Sequence, residues 1–175
     1  MTLDVDVEQD VNRRRLAQAY KIALNSPDPS TQNGAIITDR AGTLILGRGC
    51  NQFPRGVEYY PERWERPLKY EIIEHAERNA IFDAAYHGRR CKGATMYAAW
   101  AACSDCARAI IQAGIIKLVR HADATKRATM PGKDWTDTIS TADMMLREAG
   151  VEIVDIEGKV TDGLALLHSG KPWSP

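Results

Sequence analysis

The chain has 175 residues, 44% of them hydrophobic and 26% charged, with 23 basic residues balanced by 23 acidic ones. That length suits one domain with a real core and is short for two, and zero formal charge leaves no overall footprint for nucleic acid or a membrane surface. No apolar run approaches the roughly 20 residues that span a bilayer, and the opening MTLDVDVEQD lacks the basic and apolar regions of a signal peptide, so a cytoplasmic protein is expected.

Residues 1–9 read as a flexible arm, disordered or packed on a neighbouring subunit, ahead of a single domain over 10–158. Val11, Leu16, Ala19, Tyr20 and Ala23 fall at near-helical spacing and predict a helix over 8–24, which Asn25-Ser26-Pro27-Asp28-Pro29 breaks. GAIIT (34–38) and TLILGRG (43–49) predict two strands around the turn Asp39-Arg40-Ala41-Gly42. The segment 51–71 carries Pro54, Pro61 and Pro67 and many charges; loops of that length in compact domains are usually functional or disordered. HAERNAIFDAAYH (75–87) predicts a helix that offers Ala76, Ala80, Ile81 and Ala84 to the core and closes at Gly88. A strand over 94–100, a helix over 103–113, a strand over 115–120, a helix over 136–149 and a strand over 151–156 complete the series. That order implies a three-layer α/β domain with a mixed sheet whose last strands run parallel. The tail 159–175 gives no functional reading.

Four cysteines, Cys50, Cys91, Cys103 and Cys106, are few for a disulfide scaffold, and two of them form C-x-x-C, a spacing of metal sites and redox pairs. His75 and Glu77, two residues apart, would diverge by about 200° on a continuous helix. They can converge if the helix begins there. Both pairs open predicted helices, where α/β folds place ligands and where partial positive charge favours thiolate. Two thiolates and a neutral imidazole hold tetrahedral zinc with one position open, the catalytic pattern. Glu77 is then placed to carry protons for a zinc-activated water. Taken singly, each feature has a plainer reading. His75 could be a satisfied core histidine, the cysteine pair a redox couple or structural zinc, and Asn51 a turn residue. Cys50 as a fourth ligand would close the site. Cys91, Trp64, Trp100 and Trp135 read as packing groups.

The order His75-Ala76-Glu77 then Cys103-x-x-Cys106 matches the H-x-E…P-C-x-x-C signature of zinc deaminases. With STQNGAIIT, GRGCNQFPRG, HAERNAI, GATMY and CARAIIQAGIIKLV, the chain resembles the zinc-dependent deoxycytidylate (dCMP) deaminases of the cytidine deaminase-like superfamily, over about residues 10–155. The resemblance implies a three-layer α/β/α fold with a central mixed five-stranded sheet. It implies one catalytic Zn2+ per chain held by His75, Cys103 and Cys106, with Glu77 shuttling protons as dCMP becomes dUMP and ammonia. It further implies Ala76 N–H on the base carbonyl, the backbone oxygen of Ala102 on the exocyclic amine, Asn51 on the sugar hydroxyl, and a homo-oligomer, dimer or hexamer.

The chain departs from that pattern at four places. Ala102 replaces the usual proline before the first cysteine, and Asn33 stands where relatives carry valine against the base, which bears on base preference. Gln52 and Tyr86 replace a glycine and an arginine tied to dCTP/dTTP control. Phosphate candidates are Arg55, Arg63, Arg66 and Lys69, since guanidinium forks suit phosphate oxygens. Glu58, Glu62, Glu65 and Glu71 among them also fit a solvated mixed-charge surface. The competing functions are deamination of dCTP, of a modified cytosine nucleotide or of a base in tRNA, and a zinc-stabilised regulatory or binding protein. Nucleic acid fits poorly without a basic face, and a purely structural zinc site has no use for Glu77.

Overall fold

A computed structural model of the protein describes residues 2–130 and 135–175, with residues 2–6 described by their backbone alone. Five strands form the sheet, in the order β2 (Ile45–Cys50), β1 (Gly34–Thr38), β3 (Thr95–Ala98), β4 (Lys117–His121), β5 (Glu152–Ile156). β1 runs antiparallel to both β2 and β3, and β3, β4 and β5 run parallel. The mixed sheet with parallel last strands is therefore as the sequence order implied.

Strand alternation sorts the core into two halves. Ala35, Ile37, Met96, Ala98 and Leu118 face α3 (Ala76–Tyr86), α4 (Ser104–Gln112) and α6 (Thr136–Glu148) through Ala76, Ala80, Cys106, Ile110 and Leu146. Ile36, Tyr97 and Val119 face the other way, against Leu16, Tyr20 and Ala23 of α1 (Thr2–Ala23). Buried Arg120 ties β4 to its neighbours through Asp143 on α6 at 2.6 Å and Asp155 on β5 at 2.8 Å.

The glycines of GRG are set by this layering. A Cβ on Gly47 would lie 2.2 Å from the carbonyl oxygen of Ala80, and one on Gly49 would lie 2.5 Å from that of Ala76. Helix α3 thus rests its backbone directly on β2, and only glycine admits that approach.

Three expectations change. Residues 2–9, expected as an arm, continue α1, and Glu8 pairs with Lys117 at the start of β4, which fastens the first turns to the sheet. Within 51–71 the chain forms a 3-10 turn (Pro61–Trp64), and α2 (Leu68–Ile72) follows. Phe53 stacks on Trp64 with ring centroids 4.2 Å apart and on Tyr59 at 5.2 Å, so an aromatic cluster supplies the order that local periodicity did not announce. A short α5 (Ala122–Ala128), too brief to show a helical period, follows β4.

The tail past 158 folds as a hairpin, β6 (Leu166–His168) and β7 (Lys171–Trp173). Its two-residue turn places Ser169 at φ 52° and Gly170 at φ 74°, the paired positive values that match strand twist in tight hairpins. Trp173 anchors it, with its ring 5.8 Å from those of both Tyr20 and His121.

Candidate active site

His75 is the residue just before α3 and has extended backbone, φ −73° and ψ 155°. Freed from the helical direction, it no longer diverges from Glu77. Cys103 holds the same place before α4, φ −79° and ψ 173°, and Cys106 lies one turn in. The two helix starts are pinned together by Arg78, which binds Glu74 at 2.7 Å and reaches Asp105 of α4 at 3.6 Å. Thr138 of α6 caps α4 by accepting from Ser104 N–H at 3.0 Å. Alanine at 102 leaves this turn intact without the usual proline.

The three ligand atoms lie within 4.8 Å of one another. His75 Nδ1 is 3.5 Å from Cys103 Sγ and 3.6 Å from Cys106 Sγ. Tetrahedral zinc, with Zn–S about 2.3 Å and Zn–N about 2.0 Å, sets N···S edges of about 3.5 Å. The donor set therefore fits zinc in both chemistry and size. The hydrogen bond from Cys106 pulls the Cys103 thiol down to about 4, while that of Cys106 is pushed well up by the same bond and by burial. Cys50 stands outside the group of ligand atoms, which speaks against a fourth ligand there, and burial lifts its thiol to about 11; Cys91 is a buried thiol.

Glu77 is 2% exposed, and its Oε2 has no hydrogen-bond partner among the described residues. Burial pushes its carboxyl up to about 6. A buried carboxylate oxygen with nothing to bind is costly unless a ligand completes it. It lines the same cavity as His75 and Cys103, so the unpartnered carboxylate oxygen shares a space with two of the residues that would hold a metal.

Around that centre the structure sorts the sequence candidates. Asn33 and Asn51 line the cavity, both buried. Asn33 Oδ1 accepts from Gly34 N–H at 2.9 Å. Asn51 binds the protein at both ends of its amide: its Oδ1 accepts from Ala76 N–H at 3.0 Å and its Nδ2 donates one hydrogen to the Thr31 carbonyl at 3.1 Å. The Ala76 N–H thus points at Asn51, where the resemblance had put a base carbonyl. Ala102 is buried beside the lining residues Ala101 and Cys103. Arg55 lies off the cavity, over the exposed Tyr86 ring at 3.9 Å and paired with Asp83 at 3.2 Å, because a free guanidinium takes the nearest carboxylate and π face. Arg63 packs on Tyr60 instead. Arg66 and Lys69 do line the cavity.

Sequence reasoning missed other walls. Trp100 and Trp135 were read as packing groups, yet both line the cavity, Trp135 with its ring 5.9 Å from that of His75. Trp100 sits just past the carboxyl end of β3, where open α/β sheets bind ligands, and that position was a usable signal. His168, stacked on Trp100 at 4.1 Å, and Ser169 come from the hairpin, for which the sequence offered none.

The family described as cytidine and deoxycytidylate deaminase zinc-binding region matches residues 9–122. A deaminase of Aliivibrio fischeri with no characterised role is 36% identical over 144 residues, covering 81% of this chain and 90% of that one. The deoxycytidylate deaminase of Enterobacteria phage T4 is 44% identical over 144 residues, 78% of this chain and 68% of the phage protein. The match spans 62% of the human deoxycytidylate deaminase. Among solved structures, the apo dCMP deaminase of cyanophage S-TIM5 superposes with a TM-score of 0.60 at 21% identity, over 84% of this chain and 98% of that one, a likeness of fold. With its His-Cys-Cys donor set at two helix starts and a buried carboxylate in the first turn of one of them, the chain belongs to the cytidine and deoxycytidylate deaminase zinc-binding family.

Proposed function

We propose that this protein hydrolyses the C4–amino bond of a free cytosine deoxynucleotide, converting dCMP and water to dUMP and ammonia. The observation that carries this is the unpartnered Glu77 Oε2 in one cavity with His75 and Cys103, two members of the His75–Cys103–Cys106 donor set. Bound there, zinc supplies the Lewis acidity that makes water a nucleophile at neutral pH. Glu77 Oε2 takes the proton that the water sheds and passes it to the ring nitrogen N3. It takes the second water proton and delivers it to the departing amine, so one carboxylate serves as base and acid and ends as it began. A carboxyl raised toward neutrality by burial suits both roles. The deoxycytidylate deaminases among the relatives support the substrate class.

We assign the protein to the cytosol, in keeping with four unbridged cysteines and with no described helix long and apolar enough to cross a membrane. Self-association as a dimer or hexamer is supported by Phe82 and Tyr86, exposed by 54% and 74% on α3. Light scattering on the zinc-loaded protein checks that assembly. The function is tested by offering zinc-loaded protein dCMP, dCTP, deoxycytidine and a tRNA adenosine substrate and following ammonia. Turnover led by dCMP is expected; turnover led by another substrate overturns the substrate, and silence with one zinc per chain overturns the enzyme. A Glu77→Gln variant keeps its zinc and loses about 10²–10⁴-fold in rate, the usual worth of such a group.

A further inference from the structure

The C-terminal hairpin is sewn to the loop that precedes β1. Gln32 N–H donates to the Leu167 carbonyl at 2.9 Å, and Leu167 N–H returns the bond to Gln32 Oε1 at 3.0 Å. At the turn, Ser169 N–H donates to Thr31 Oγ1 at 3.3 Å and Gly170 N–H to the Ser30 carbonyl at 2.8 Å. Residues 30, 31 and 169 all line the cavity that holds Glu77, though residue 169 lies beyond the 9–122 segment shared with the family.

Next along the same wall is a buried cation. Lys69, 7% exposed, donates to Asp28 Oδ1 at 2.7 Å. That oxygen also accepts from Ser30 N–H at 2.8 Å and Thr31 N–H at 3.1 Å. One carboxylate oxygen of Asp28 therefore both pairs with the ammonium and holds the loop. Lysine carries three donors, and Asp28 takes one. Arg66, three residues earlier, lines the cavity as well. Exposed Arg66, over the Tyr70 ring at 5.3 Å, and buried Lys69 thus bring two cationic groups and two hydroxyls to one wall of the cavity, a donor set that suits phosphate oxygens.

We infer that the C-terminal hairpin completes an anion subsite with Lys69, Arg66, Ser30 and Thr31, and that this subsite receives the substrate's phosphate. The inference rests on the nucleotide reading above and deepens it. Lys69 and Arg66 meet the phosphate directly, and the hairpin acts as a positioning element by holding the 30–32 loop against them.

The test compares dUMP with deoxyuridine binding by calorimetry, and dCMP with deoxycytidine turnover, on zinc-loaded protein. Lys69 is removed together with its partner as Asp28→Asn/Lys69→Met, because asparagine keeps an acceptor for the loop N–H groups and no buried charge is stranded. The hairpin is loosened separately by Gln32→Leu. The dUMP-over-deoxyuridine preference is expected to fall about 10- to 100-fold in the double variant, the worth of a charge-assisted hydrogen bond, and several-fold in Gln32→Leu. A preference that holds in either variant, with both ligands weakening together, overturns the subsite and leaves a structural ion pair or strap. A wild-type protein that prefers dUMP yet does not deaminate dCMP keeps the subsite and sinks the catalytic reading instead. Wild-type protein that binds dUMP no better than deoxyuridine overturns the subsite whatever the turnover shows.

Discussion

Replacing Asn51 by alanine separates two roles for that side chain. In the structure its amide bridges the start of α3 to the loop before β1, accepting from buried Ala76 N–H at 3.0 Å and donating to the Thr31 carbonyl at 3.1 Å. Alanine strands both groups. A buried donor left unpaired costs about 1–3 kcal/mol, and a carbonyl that water can reach costs less, so the sum is about 2–4 kcal/mol. For a chain of this length each kcal/mol shifts Tm by about 2–4 °C, which gives a fall of roughly 5–15 °C. Because Ala76 lies between His75 and Glu77, kcat/KM falls with Tm. Asn51→Asp keeps the acceptor for Ala76 and recovers part of both losses. The assay is thermal melting of zinc-loaded variants beside dCMP kinetics. A melting point within about 2 °C of wild type together with a raised KM would show Asn51 acting on the substrate, and would refute the bridging argument.

Gly49→Ala forces a Cβ to within 2.5 Å of backbone atoms of Ala76 and Ala80. Overpacking of that kind costs about 1–3 kcal/mol, and since α3 must lift at its first turn, zinc content measured by atomic absorption is expected to fall along with Tm. Arg55→Ala, by contrast, removes a half-exposed group that lies off the cavity; dCMP kinetics and stability should stay put, within about 0.5 kcal/mol. Burial holds the His121 imidazole below its usual value of 6.5, with Nε2–H donating to the Gly158 carbonyl at 2.9 Å and Tyr20 at 2.6 Å from Nδ1. The native state therefore binds fewer protons there than the unfolded chain. This contribution is full above about pH 6.5 and is lost as pH falls toward the folded-state pKa. Melting curves between pH 8 and 5 should show that slope, and His121→Gln should flatten it; an unchanged slope would assign the acid sensitivity elsewhere.

The mixed sheet and the His75–Cys103–Cys106 donor set were legible in the sequence for a local reason. Strand alternation and helical spacing are short-range patterns, and His75, Glu77, Cys103 and Cys106 each sit at a helix start that the neighbouring residues mark. The 3.5 and 3.6 Å separations from His75 Nδ1 to the two sulfurs follow once those starts abut. The residues around that centre were not legible, because their partners are far along the chain. Asn51 was expected on a sugar hydroxyl, and only the approach of α3 to β2 through Gly47 and Gly49 shows its Oδ1 accepting from Ala76 N–H. Arg55 and Lys69 looked alike as basic residues of one loop. Folding sends the first to Asp83 and Tyr86 at the surface and the second to buried Asp28 on the cavity wall. His168 carried no signal, since its place beside Trp100 depends on a hairpin returning more than a hundred residues later to the loop before β1. Local pattern is written in neighbouring residues, whereas the walls of a cavity are set by which distant segments the core brings into contact.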